Sequence, residues 1–347
     1  MRPACPEPAQ SLTEMVRSWP PDQLVRDGIG LLQAGLDFAD PGDLPALLAL
    51  LTRLHTAGRH DLALGRLFEG HIDALQIVAR YGDRPLIQGA HGAARGAARF
   101  GVWNADLPGD PLRLSDGRLY GGKAFASGAG CLTHALVTVD AGDRDRVQLI
   151  LVDLVRHPPD VDKGWWRTLG MQRSETHVVR WSGAPIGQSA LVGKPGDYER
   201  EPWFSGGALR FVAVHAGGIA AIFDHVRNHL VDKGRADDPH QASRLGTLFG
   251  LADLAAAVCR RTAERWFEEP DHMRPTRVAS TRMAVADLAE QAMTLAQQSV
   301  GVQALFQDHP LCRTLADLMV YLRQPAPDGH RVRAGQAAAA GTLGVVL

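Results

Sequence analysis

The run Gly117-Arg118-Leu119-Tyr120-Gly121-Gly122-Lys123 has the spacing of a phosphate-cradling loop, in which glycine amides and a lysine face phosphates and the next hydroxyl holds magnesium. Here Ala124 follows, so that hydroxyl is missing and the match fails. No GxGxxG, GxSxG or HExxH pattern occurs elsewhere, which argues against a separate dinucleotide-binding unit, a serine-hydrolase elbow and a zinc protease helix. The four cysteines, Cys5, Cys131, Cys259 and Cys312, are isolated, with no ligand spacing for zinc and no disulfide framework. What remains is the continuation Ala124-Phe125-Ala126-Ser127-Gly128-Ala129-Gly130. The whole stretch begins as a strand behind the turn Ser115-Asp116-Gly117 and ends in small residues.

The elements around this stretch fall into three blocks. Residues 1 to about 95 read as helices, with apolar residues on successive turns of Leu44 to Leu54 and Asp61 placed to cap Leu62 to Phe68. Gly65 to Leu75 carries its polar groups on one side. Gly89 to Gly96 is so poor in bulk that another backbone or a ligand is expected to come close. Residues 96 to about 200 turn to short β-rich runs, Leu136 to Val139, Val147 to Val152 and His177 to Trp181, spaced as in an antiparallel barrel or sandwich. From 201 the chain returns to helix over Phe211 to Val231, Ala242 to Phe267, Arg282 to Phe306 and Leu311 to Leu322, stopping at Gln324-Pro325 before an Ala/Gly-rich tail. The fold class is α+β, an all-β insert between two helical lobes. The 347 residues allow a large core and two or three lobes. With 37 basic and 38 acidic side chains, neither a nucleic-acid groove nor an anionic membrane is expected as main partner. No secretory leader or uninterrupted membrane-length apolar run stands out, so a reducing cytoplasm is the expected setting.

Leu119 to Gly130, with Phe100 to Asp106 just upstream, resembles the middle β-domain of the acyl-CoA dehydrogenase family of flavoproteins, where a G-x-K-x-(F/W)-(I/A)-(T/S) strand lies against the flavin. Gly164-Trp165-Trp166 through Gly170-Met171-Gln172-Arg173-Ser174 is similar to the family's W…GMRxTxS turn. Gly193 to Tyr198 with Pro202-Trp203-Phe204 resembles the crossing into the last helical domain, and Gln298-Ser299-Val300-Gly301 its Q-x-x-G. His309-Pro310 to Leu318 resembles the P-x-x-R-x-x-RD helix, with Ala316 in place of the usual arginine. The resemblance spans about residues 40 to 325. It implies an N-terminal helical domain (1–95), a middle β-barrel or sandwich domain (96–200), a C-terminal four-helix-bundle domain (201–347) and bound FAD. Val102, Trp103 and Asn104 would run beside the isoalloxazine. Phe125 and Ser127 would face its other edge, with Ser127 near N5. Trp103 and Phe125 would give the apolar wall a flavin needs. Arg235 and Gln298 would reach the diphosphate or adenine end, a contact the family usually draws from a neighbouring subunit, so a homodimer or homotetramer is implied. Taken singly, Trp103 and Phe125 read as core aromatics, Lys123 as a solvated strand residue, Arg235 as a surface ion-pair partner and Gln298 as an ordinary helix residue.

One part of the family pattern is missing. Thioester dehydrogenation needs a carboxylate to take the α-proton in a dry pocket. The family's usual position, eight residues beyond the aspartate at Asp317, is Pro325, and its alternative, before Arg210, is Leu209. The resemblance still implies an FAD-dependent, acyl-CoA dehydrogenase-like oxidoreductase first, with two alternatives beside it. A dehydrogenase acting on an acyl-CoA and passing electrons to an electron-transfer protein would need its base at Glu69, Asp73 or Glu201, each of which also reads as a surface or capping acid. A flavin monooxygenase would need no such base, and His71, His91 or Ser127 would guide oxygen chemistry. A non-catalytic member would keep the fold alone.

Overall fold

The computed structural model describes residues 16, 18–140, 147–323 and 327–345. After an irregular helical segment over Pro21–Gln33, whose Leu24–Gly28 turn is a π-helix, come α1 (Leu44–His60), α2 (Leu62–Tyr81) and α3 (Arg84–Arg95). Their starts are set by capping carboxylates. Asp43, Asp61 and Asp83 each accept the amide three residues on, at 2.8–2.9 Å. Asp61 also stops α1, so the two helices turn about one residue. Helix α2 is buried almost all round, Glu69, His71 and Gln76 included.

The middle block is a sheet of eight described strands: β1 (Phe100–Trp103), β2 (Arg113–Ser115), β3 (Arg118–Ala126), β4 (His134–Asp140), β5 (Val147–Asp153), β6 (Asp160–Asp162), β7 (His177–Pro185) and β8 (Leu191–Val192). Their order is β6-β7-β3-β2-β4-β5-β8, with β1 beside β4. The sheet is mixed, since β1 and β2 both pair with β4 in parallel, where a purely antiparallel arrangement was expected. The expected turn before β3 is present, with Asp116 and Gly117 both at positive φ as a two-residue hairpin requires. Gly121 is needed for packing: a Cβ there would lie 2.3 Å from the Pro111 carbonyl oxygen.

The last block holds α4 (Ala208–Asp232), α5 (Pro239–Glu268), α6 (Arg274–Val300), α7 (Pro310–Tyr321) and α8 (Pro327–Ala339). Helix α8 stands where the tail's composition carried no helical signal. Helices α1 and α4 cross at backbone contact, because a Cβ on Gly217 would fall 2.0 Å from the His55 carbonyl oxygen and one on Gly58 2.2 Å from that of Val214. The two helical lobes are thus one packed mass, and a single apolar cluster continues from them into the sheet.

Two sequence expectations do not hold in the fold. Gly89 to Gly96 makes no close approach: most of it is the end of α3, and a Cβ on Gly89 or Gly92 would meet nothing within 4 Å. Lys123 is not a solvated strand residue. It is 1% exposed, and its ammonium donates to the Asn104 carbonyl (3.1 Å) and Thr138 Oγ1 (2.8 Å) and pairs with Asp106. Burial holds its pKa below the usual lysine value, against the pull of Asp106.

Candidate functional site

The site begins at a defect in β3. Pairing with β7 slips between Lys123 and Ala126, and Phe125 takes φ +53°. This bulge throws the Phe125 ring out of the sheet, 56% exposed. It meets Trp165 edge-on at 4.9 Å, and Trp166 lies beyond at 6.5 Å. The result is an exposed aromatic ledge.

Ser127, two residues on, is fixed from three elements. Its carbonyl accepts the Trp103 indole N–H at 2.9 Å. Its Oγ accepts Arg66 Nε of α2 at 3.3 Å and the Thr176 hydroxyl, just before β7, at 3.1 Å. Thr176 Oγ1 lies 2.7 Å from Ser174 Oγ, which lies 2.6 Å from the Met171 carbonyl oxygen.

Behind Arg66 is a buried charge cluster. Arg66 pairs with Glu69, Arg210 pairs with Asp73 and donates to Gln76 Oε1 at 3.0 Å, and Arg210 Nε stands 4.0 Å from Glu69. Burial alone would lower the Arg66 guanidinium, but Glu69 beside it keeps it above its ordinary value. Burial pushes the Glu69 carboxyl up against the opposing pull of Arg66, and the Asp73 charge adds to the rise.

The sequence-predicted residues divide clearly. Phe125 and Ser127 come together at the ledge. Trp103 reaches Ser127 but not as an open wall: it is 1% exposed, with its ring in the core 6.3 Å from Trp181, so its part is to hold the Ser127 backbone. Val102 is half-buried on β1, and Asn104 turns its Oδ1 to the Thr138 hydroxyl at 3.0 Å. Arg235 and Gln298 are exposed and far from Ser127. Arg235 follows the end of α4 whereas Arg210 is near its beginning, and a 25-residue helix is about 37 Å long at ~1.5 Å per residue. Gln241 Nε2 donates to the Ser299 carbonyl at 3.2 Å, which brings the Arg235 loop to the Gln298 end of α6.

The candidate bases are all engaged. Glu69 and Asp73 are clamped by arginines. Glu201 accepts from the Ser205 amide at 3.0 Å as a cap. Leu209 is buried, and Pro325 lies outside the described residues. His71 Nδ1 accepts the Phe100 amide (3.1 Å) and its Nε2 donates to Gln33 (2.8 Å), with burial taking its pKa down to about 3. It is a neutral core residue. His91 packs edge-on against Phe38 at 5.4 Å, its pKa lowered by burial. Sequence reading missed Arg66, Thr176 and Arg210. The one signal was the polar stripe of Arg66, Glu69 and Asp73 on a helix otherwise apolar enough to be buried.

No protein-family model matches the sequence, and neither does the sequence of any curated protein. The likeness lies in structure. FMN-bound TdsC from Paenibacillus sp. A11-2 superimposes with a TM-score of 0.80 at 18% identity, over 95% of this chain and 94% of TdsC. Butyryl-CoA dehydrogenase from Megasphaera elsdenii gives 0.75 at 14% identity, over 92% and 89%. The chain has the acyl-CoA dehydrogenase fold. KijD3, in complex with FMN and a dTDP-linked amino-keto sugar, gives 0.73 at 20% identity over 96% and 92%. Within that fold, this chain places Phe125 and Ser127 at and just past a bulge of β3, Leu209 is buried and apolar, and Glu69 and Asp73 are paired with arginines.

Proposed function

We propose that this chain is a flavin-dependent oxidoreductase that uses molecular oxygen, a monooxygenase in reaction type rather than a thioester dehydrogenase. The observation that carries the reading is that the buried candidate bases Glu69 and Asp73 are both paired with arginines, behind the Ser127 hydroxyl and the Phe125–Trp165 ledge. An exposed aromatic corner, with Phe125 edge-on to Trp165, beside a fixed hydroxyl suits a planar heteroaromatic ring that lies on one of the two rings and turns a polar edge to Ser127. Phe125 and Trp165 would offer apolar contact to the ring, Ser127 would meet its polar edge, and Trp103 would hold Ser127 in place. When bound and reduced, the flavin would supply two electrons to oxygen, one oxygen atom entering the substrate and the other leaving as water. The protein's own task is to exclude water and hold charge nearby, and the clamped pairs Arg66–Glu69 and Arg210–Asp73 supply that charge without a free base. TdsC, which is described as a dibenzothiophene monooxygenase, supports oxygen chemistry on this fold.

We further propose that the working unit is a homodimer or homotetramer, in which Arg235 and Gln298 of a second copy reach the phosphate end of the flavin. FAD is the form such a contact would serve. The setting we propose is the cytoplasm.

The test is an absorption spectrum of the purified protein before and after adding FAD or FMN and removing the excess. Flavin bands near one per chain are expected. Anaerobic mixing with acyl-CoA thioesters is then expected to leave the flavin oxidised, and the chemically reduced protein is expected to consume oxygen. Bleaching by a thioester would restore the dehydrogenase reading, and no retained flavin would remove both.

A further inference from the structure

Three hydroxyls stand in single file behind the site: Ser127, Thr176 and Ser174, separated by 3.1 and 2.7 Å, with the Met171 carbonyl oxygen 2.6 Å beyond. Thr176 is 4% and Ser174 1% exposed, so within the file each hydroxyl hydrogen must go to a neighbour. A hydroxyl has one hydrogen, so such a file has two self-consistent orientations. In the outward one, Ser174 donates to Thr176, Thr176 donates to Ser127, and Ser127 has its own hydrogen free for the ledge. The Met171 carbonyl is still satisfied there, by Trp166 Nε1 at 2.9 Å and the Ser174 amide at 3.1 Å. In the inward one, Ser127 donates to Thr176, Thr176 to Ser174 and Ser174 to the Met171 carbonyl, and Ser127 presents a lone pair to the ledge. Arg66 Nε donates to Ser127 in both, because a guanidinium has no acceptor, and so it never competes for the serine's hydrogen.

We propose that Ser127, Thr176 and Ser174 form a reversible hydroxyl file that lets one fixed position act as donor to one redox state of a bound flavin and as acceptor to the other. This rests on the flavin reading above. The chemistry matches because the central ring nitrogen of an oxidised flavin is an acceptor and that of the reduced form carries a hydrogen. A lone serine could turn its hydroxyl for either state, but when it accepts from the reduced form its own hydrogen would have no partner in this half-buried corner. With the file behind it, both states are met by rotating three hydrogens and moving no heavy atom. Thr176 and Ser174 are positioning residues that touch no ligand.

The test compares the dissociation constants of oxidised and reduced flavin for the wild type, Thr176→Val, Ser174→Ala and Thr176→Ser. In Thr176→Val the Ser127 hydrogen has only the outward direction left, so oxidised flavin is expected to bind nearly as before and reduced flavin about tenfold more weakly. For a two-electron couple that ratio is a fall of about 30 mV in midpoint potential. Ser174→Ala, at the far end of the file, is expected to shift the ratio in the same sense, since Thr176 can then donate only outward. Thr176→Ser is expected to behave as wild type. An unchanged ratio in Thr176→Val or Ser174→Ala with flavin retained would overturn the file and leave the flavin reading intact. Absence of flavin from the wild type would overturn both.

Discussion

Glu69 shows how a residue's role is set by what holds it. It is 3% exposed, and burial favours its neutral form, yet Arg66 sits against it. Replacing Arg66 with Met would leave that carboxylate only the more distant Arg210, at 4.0 Å, and a buried charge that loses its close partner costs up to about 3–5 kcal/mol. We expect Arg66→Met to lose stability on that scale in urea unfolding. The loss should be larger at pH 8 than at pH 5, because a folded pKa raised above the unfolded one makes stability fall as pH rises. An equal loss at both pH values would mean that Glu69 is not ionised in the wild type. At this scale the sequence was legible where one local run carries the geometry, as in Phe125 and Ser127. It was not legible where the partner comes from elsewhere in the chain. Arg66 precedes Ser127 by 61 positions and looks like any helix arginine. Lys123 looked solvated because its three partners, Asn104, Asp106 and Thr138, come from two other segments.

Between elements, one close joint lies where the turn before β7 meets α7. The Met171 amide donates to Asp317, and Gly170 packs so closely on α7 that a Cβ would fall 2.1 Å from the Ala316 carbonyl oxygen. Burial pushes Asp317 up to about 7, helped by the Asp61 charge and opposed by the Met171 amide. The folded protein therefore keeps this proton up to about pH 7, while the unfolded chain releases it near 3.8. Between those values unfolding sets a proton free, so raising the pH destabilises the fold, by at most about 1.4 kcal/mol per unit for one group. Asp317→Asn keeps an acceptor for the Met171 amide and removes the titration. The unfolding free energy of the variant minus that of the wild type should rise from pH 4 to pH 7 and then level off. A flat difference would place the Asp317 proton elsewhere. The joint was partly readable: the Gly170-Met171 turn and the Asp317 helix were both recognised as motifs, but nothing in either shows that they bind each other. Gly89 to Gly96 misled for the converse reason, since small residues permit close approach and also simply occupy an exposed helix.

At the scale of the whole fold, two helical stretches among the described residues are long and apolar enough to cross a membrane by length and composition, and they differ in what covers them. The one through Trp203–Asp232, mean hydropathy 1.5, is 78% buried and is the core helix of the fold. Helix α5, mean hydropathy 1.3, is 22% buried in its apolar window. From Leu245 to Cys259 its only charged residue is Asp253. Phe249 is 57% and Leu254 53% exposed on it. The apolar periodicity of Ala242 to Phe267 predicts the helix but does not say which chain covers its apolar face. A second copy is the cover we propose. It would bury this face and also bring an Arg235 and a Gln298 from another chain, which one chain's own geometry keeps far from Ser127. The wild type is then expected to run at two or four times the 37.4 kDa chain mass in light scattering. The double substitution Phe249→Arg and Leu254→Arg should reduce it to a single chain and weaken flavin retention, although neither residue lies near the ledge. A wild type that runs as one chain would overturn the shared site, and binding of that single chain to lipid vesicles would assign the α5 face to a membrane instead.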